Sequence, residues 1–112
     1  MLSLKAIITG IILTRVQNKT FLRGIQVTDT EGIAAFDTLF PGHYQGRATH
    51  THLMAHHGGT LLPNNTYQGG NVTHTGQLFF QDELKDAVEA TSPYNTNTQA
   101  VTTNDEDTYA VS

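Results

Sequence analysis

Glycine and proline cut this chain into short segments, which constrains its fold more than any other feature. Pro41-Gly42, Gly58-Gly59, Pro63 and Gly69-Gly70 each favour a turn or interrupt a ladder. Between such breaks the side chains alternate. Residues 33–40 put Ile33, Ala35, Asp37 and Leu39 on one face and Ala34, Phe36, Thr38 and Phe40 on the other, and 47–56 alternate in the same way. Residues 21–27 are rich in strand formers, and Asp29-Thr30-Glu31-Gly32 has turn chemistry, so 21–27 and 33–40 read as a hairpin. Residues 57–71 read as a loop and 76–80, GQLFF, as a short strand. The one helical pattern is 82–91, where Asp82 can cap, Leu84 and Val88 lie four apart, and Pro93 prevents continuation. The polar remainder reads as irregular. The pattern predicts an all-β fold, an antiparallel β-sandwich with a short C-terminal helix.

Composition narrows the partners. At 112 residues there is room for one small domain, and 18 Thr suit strands. The net charge is −4, and beyond Arg47 the one basic side chain is Lys85, whereas residues 82–107 hold seven acids. This balance argues against nucleic acid and against an anionic membrane surface, and the acidic stretch reads as a solvated face with a loose tail. No Cys is present, which excludes disulfides and thiolate metal sites. No run approaches the roughly 20 apolar residues of a membrane span. The opening MLSLKAIITGIILTRVQ contains an apolar run at 6–13, compatible with an N-terminal strand or with a short signal sequence that lacks a small-residue cleavage site. Sequons at Asn18, Asn64 and Asn71 would permit N-glycosylation on a secretory route.

The segment PGHYQGRATHTH, residues 41–52, concentrates the chemistry. His50 and His52 share one strand face, about 6.6 Å apart along the chain, where two imidazoles can converge on a metal or stand as ordinary surface side chains. Tyr44 sits just after the Pro41-Gly42 turn. A phenol, with an ordinary pKa of about 10, is a poor ligand for divalent ions, but a hard trivalent ion can hold it as phenolate. Imidazole with phenolate therefore points to ferric iron rather than zinc. On a regular strand Arg47 would face away from the His pair, unless the strand twists or bulges near the turn. His43, His56, His57 and His74 read as loop or strand-end residues, with His56 sharing the parity of the pair. No Asp or Glu lies between Asp37 and Asp82 to serve as base for a divalent-metal hydrolase.

The arrangement PG-x-Y-x-x-R-x-x-H-x-H resembles the iron-binding signature of the intradiol ring-cleavage dioxygenases. FLRGIQVTDTEGIAAFDTLFPGHY is similar to that family's hairpin leading to a metal Tyr, THTGQLFF to its TQLYF strand, and residues 81–109 to the C-terminal segment of its fungal, mostly secreted branch. The resemblance implies a β-sandwich, an extracellular location and Fe(3+) as cofactor. It implies Tyr44, His50 and His52 as metal ligands, Tyr44 doubling as acceptor of a substrate proton. Arg47 would stabilise charge on the bound ring, and Gln77 would line the pocket. The partners would be a small aromatic diol of catechol type and dioxygen, and the product a muconate-type diacid.

The family also has a second Tyr ligand well upstream, in a Gly-x-Tyr-Ser-Gly type segment. No Tyr precedes Tyr44 here, and residues 1–20 are unlike the family. The expectation is an N-terminally truncated or misread chain. Residues 1–20 would be an atypical segment and 21–112 a partial intradiol dioxygenase-like core, with iron binding weakened. The competing reading is a β-sandwich binding module, or remnant, that kept the shape and lost the chemistry.

Overall fold

The computed structural model describes residues 4–9, 22–64 and 66–110. Its elements are β1 (Leu4–Thr9), β2 (Arg23–Val27), β3 (His50–His57), β4 (Thr60–Leu61), β5 (Tyr67–Gln68), β6 (Asn71–Phe79) and α1 (Asp82–Glu89), followed by a 3-10 turn at Tyr94–Thr96. Mostly strand with little helix, this is the class the alternation predicts. The strands form a sheet of order β2-β1-β3-β6 and a two-stranded β4-β5 pair. Phe21, the sequon Asn18 and residues 10–13 of the apolar run lie outside the described residues. The chain divides into two compact units, Met1–Leu39 with His52–Gln77, and Phe40–Thr51 with Leu78–Ser112.

Backbone ladders organise the first unit. β1 is antiparallel to both neighbours, with Ile7 opposite Ile25 of β2 and Met54 of β3, and Thr9 opposite Arg23 and His52. The expected turn after β2 is present. Asp29 Oδ1 accepts the N–H groups of Glu31 and Ile33, both at 2.9 Å, and Gly32 takes a positive φ of 83°. The expected strand at 33–40 is not: these residues carry no strand ladder. Ile33 and Leu39 are exposed, and Phe36 packs over Gly24, where a Cβ would sit 3.5 Å from its ring. The alternation of 33–40 reflects one half-covered face rather than a paired strand.

Two other expectations need correction. The loop predicted at 57–71 contains β4 and β5, paired with Thr60 opposite Gln68. Gly59 and Gly70, both at φ 75°, allow this, since a Cβ at either would run into the Tyr67 hydroxyl, which donates to the Gly58 carbonyl. Second, β6 starts at Asn71 rather than 76. Its first five residues are exposed, so no apolar face marks them as strand, and their Thr content carries the propensity instead.

The second unit has a small aromatic cluster. The Phe40 ring lies 4.5 Å from Phe80 and 6.4 Å edge-on from Tyr94, whose hydroxyl donates to the Phe40 carbonyl at 2.7 Å. α1 has eight residues, too few to be stable alone. Asp82 and Glu83 suit the positive end of its dipole, but Asp82 is not the cap expected of it. Gln81 holds that position, and the Asp82 carboxylate turns to Lys85 Nζ at 2.5 Å and accepts the Asn104 N–H. Lys85, 2% exposed, also donates to Asn104 Oδ1 at 2.9 Å. The tail beyond α1 is irregular, as expected, but it is pinned rather than loose. Asn104 Nδ2 donates to the Phe80 carbonyl, and Asn97 Nδ2 to that of His43. The acidic stretch supplies internal partners, because each of Asp82, Glu89 and Asp107 meets a basic side chain of its own.

Candidate functional site

Tyr44, Arg47 and His50 come together in the second unit. Gly46, at φ 90°, turns the chain sharply enough for Tyr44 and Arg47 to form an isolated antiparallel bridge. Arg47 is thus on a turn before β3 rather than on the strand expected from 47, so strand alternation does not set the way it faces. Ala48 and Thr49 are buried, and His50 opens β3 with no exposed surface. Its ring lies 6.3 Å from that of Tyr44 and 5.4 Å from that of Phe79.

The His50 tautomer follows from one contact. Nδ1 is 2.6 Å from the Ala48 carbonyl, which can only accept, so Nδ1 carries a proton, and in the neutral ring the lone pair is on Nε2. A ligating histidine whose other nitrogen donates to a backbone carbonyl is oriented and made more basic by that bond. The donor set therefore fits a metal that accepts imidazole and phenolate. Among the described residues no three His, Asp or Glu side chains converge, so a site here needs the phenol.

His52 lies two residues further along β3, with Gln77 on the adjacent strand β6, and both belong to the first unit. His56, noted for its parity, packs edge-on against Tyr67 at 5.1 Å between ring centroids, with Nε2 buried and lacking a hydrogen-bond partner.

Arg47 is held more firmly than a surface arginine. Nε donates to Asp107 Oδ2 at 2.9 Å, and the guanidinium carbon lies 4.6 Å from the centre of the Tyr109 ring. Asp107 also accepts the Ala48 N–H at 2.7 Å and the Tyr109 N–H at 2.8 Å. Burial would raise its pKa, but the hydrogen bond from Arg47, the two N–H donors and the Arg47 charge reverse this and hold it at about 2. Beside Tyr44, His43 is buried, with Nδ1 2.7 Å from Glu89 Oε1 and Nε2 2.8 Å from the Gln99 carbonyl. Both partners accept, so both ring nitrogens donate and the ring is an imidazolium here. Burial lowers its pKa, while the bonds to Gln99 and Glu89 and the Glu89 charge raise it, and the net result lies above the ordinary 6.5.

The sequence missed Asp107, Tyr109, Glu89 and the bonded state of His43. Their partners lie some forty to sixty positions away, and periodicity carries no such information.

No protein-family profile matches this sequence, and no curated protein does. Solved structures do. An intradiol ring-cleavage dioxygenase from Tetranychus urticae is 31% identical, with a TM-score of 0.78, over 99% of this chain and 59% of its own. A second dioxygenase crystal structure matches with the same identity and TM-score, over 99% of this chain and 58% of that one. The chain resembles the intradiol ring-cleavage dioxygenases in fold and sequence, and spans a little under three fifths of the length of those two.

Proposed function

We propose that this chain carries the working segment of an intradiol dioxygenase, which cleaves a catechol-type ring between its hydroxylated carbons to give a muconate-type diacid. The likeness to solved dioxygenases supports the reaction class. The observation that carries the site is the grouping of Tyr44, Arg47 and a buried His50 with its Nε2 lone pair fixed by the Ala48 carbonyl. We read residues 21–112 as part of an antiparallel β-sandwich core, and the protein as extracellular.

In this reading Tyr44, His50 and His52 would hold ferric iron. When bound, the ion supplies the Lewis acidity that deprotonates a diol at neutral pH and opens the ring to dioxygen. Tyr44 Oη, as phenolate, accepts one diol proton. The Arg47 guanidinium stabilises negative charge on the ring carbons as they react. Gln77 orients the diol through its amide. One diol and one dioxygen give one diacid, so no further reductant is required. The residues named here provide three protein donors. We therefore expect this polypeptide to bind ferric iron more weakly than a four-donor site and to turn over slowly.

Metal content and the visible spectrum after ferric loading test this. The expected result is about one iron per chain with a phenolate-to-iron charge-transfer band that shifts on adding catechol. Y44F should lose the band and H50A the iron. Colourless protein that retains no iron would favour the binding-module reading instead.

A further inference from the structure

We infer that Asp107 is the positioning residue for Arg47, with the Tyr109 ring as its platform. An arginine that must meet a reacting ring has many rotamers to lose, and a flexible one stabilises charge poorly because it reorganises during the reaction. Arg47 is fixed at two points. Its Nε is bound to Asp107 Oδ2 at 2.9 Å, and its guanidinium lies over the Tyr109 ring at 4.6 Å. A hydrogen bond in the guanidinium plane and a stack on its face together set both the position and the tilt of the group.

The holder is itself immobile. The Asp107 side chain has no exposed surface, and its other acceptor sites take the N–H groups of Ala48 and Tyr109. The Ala48 contact matters most for geometry. Ala48 follows Arg47 in the chain, and its carbonyl accepts from His50 Nδ1. One carboxylate thus fixes the backbone and the side chain of the turn that also orients the His50 ring. That Oδ2 also takes Nε, while the Arg47 side chain stays 20% exposed, is what a positioned but not fully enclosed cation requires. This inference rests on the proposed place of Arg47 beside the bound ring, where its charge would also favour the catecholate.

Two measurements on the full chain decide it. The first, without added metal, is water exchange of the Arg47 Nε–H in 15N-labelled protein. D107N should speed it by about tenfold or more. The second is catechol affinity of the ferric-loaded chain for wild type, R47A, D107N and R47A/D107N. D107N should weaken catechol by about tenfold at unchanged iron content, yet add nothing once Arg47 is Ala. Unchanged exchange in D107N, or equal weakening with and without Arg47, overturns the inference. If D107N does not fold, Y109L replaces it, since Tyr109 is 62% exposed and the carboxylate stays. The same cycle applies, with severalfold weaker binding expected through Arg47 alone. A wild-type chain that holds no iron refutes the ferric reading, and the exchange comparison still decides for or against Asp107.

Discussion

The two compact units are held together by different means. In the first, β1 lies between β2 and β3, and ladder groups of the main chain satisfy one another. In the second, side chains do the joining. His43 meets Glu89, Arg47 meets Asp107, and Lys85 meets Asp82 and Asn104. Among the described residues the buried apolar side chains are Pro41, Ala48 and Ala55, while His50, Lys85 and Asp107 are the largest that are fully buried. A ladder survives most side-chain changes, because its bonds belong to the backbone. A buried polar pair does not, because removing one partner strands the other without water. The second unit, which carries Tyr44, Arg47 and His50, should therefore be the more sensitive to single substitutions.

Asp107→Ala should do the most damage, since it leaves Arg47 Nε and the Ala48 N–H without their acceptor. The expected loss is about 3 kcal/mol. Hydrogen exchange resolved by peptide would show it as lost protection over 78–110 with little change in β2. Equal loss in both would mean that the two units share one set of stabilising contacts. Lys85→Ala comes next, at about 2 kcal/mol, by stranding Asn104 Oδ1. Lys85→Met restores the packing volume but strands the same oxygen, so it should recover little of that loss.

The same pairs predict how the second unit responds to pH. The Asp107 carboxyl is held at about 2, below its ordinary 3.8, so its contribution is full above 3.8 and is lost as pH falls through about 2. His43 is raised above 6.5, so its contribution is full below 6.5 and is lost as pH rises through the raised value. Thermal melts from pH 5 to 9 should show second-unit stability declining on the alkaline side. His43→Gln should flatten that decline, and an unchanged slope would remove His43 from the explanation.

These differences also explain what was legible in the sequence. The strand class, the Asp29 turn and the nearness of Tyr44 to His50 were readable, because alternation and turn chemistry are local. The start of β6 was not, since its first five residues are exposed and carry no apolar face. Residues 33–40 show the opposite error, an alternating pattern without a paired strand. The second unit was the least legible. Asp107 lies sixty residues from Arg47, and an Asp in an acidic tail looks the same whether it is solvated or buried.

The smallest expected effect sharpens the contrast from the other side. Asp29 Oδ1 accepts two N–H groups in the first unit, but in an exposed turn, where water can replace it. Asp29→Ala should cost only about 0.5–1 kcal/mol. The backbone bonds of that turn, Asp29 N–H to the Ile33 carbonyl at 2.8 Å and Gly32 N–H to the Asp29 carbonyl at 3.1 Å, remain. Gly32→Ala forces a side chain into φ 83° and should cost about 1–2 kcal/mol, although nothing lies within 4 Å of the new Cβ. In a unit governed by its backbone the glycine change must be the worse of the two, as denaturant midpoints of the two variants would show. Should Asp29→Ala prove worse, side chains hold the first unit as well, and the contrast between the units fails.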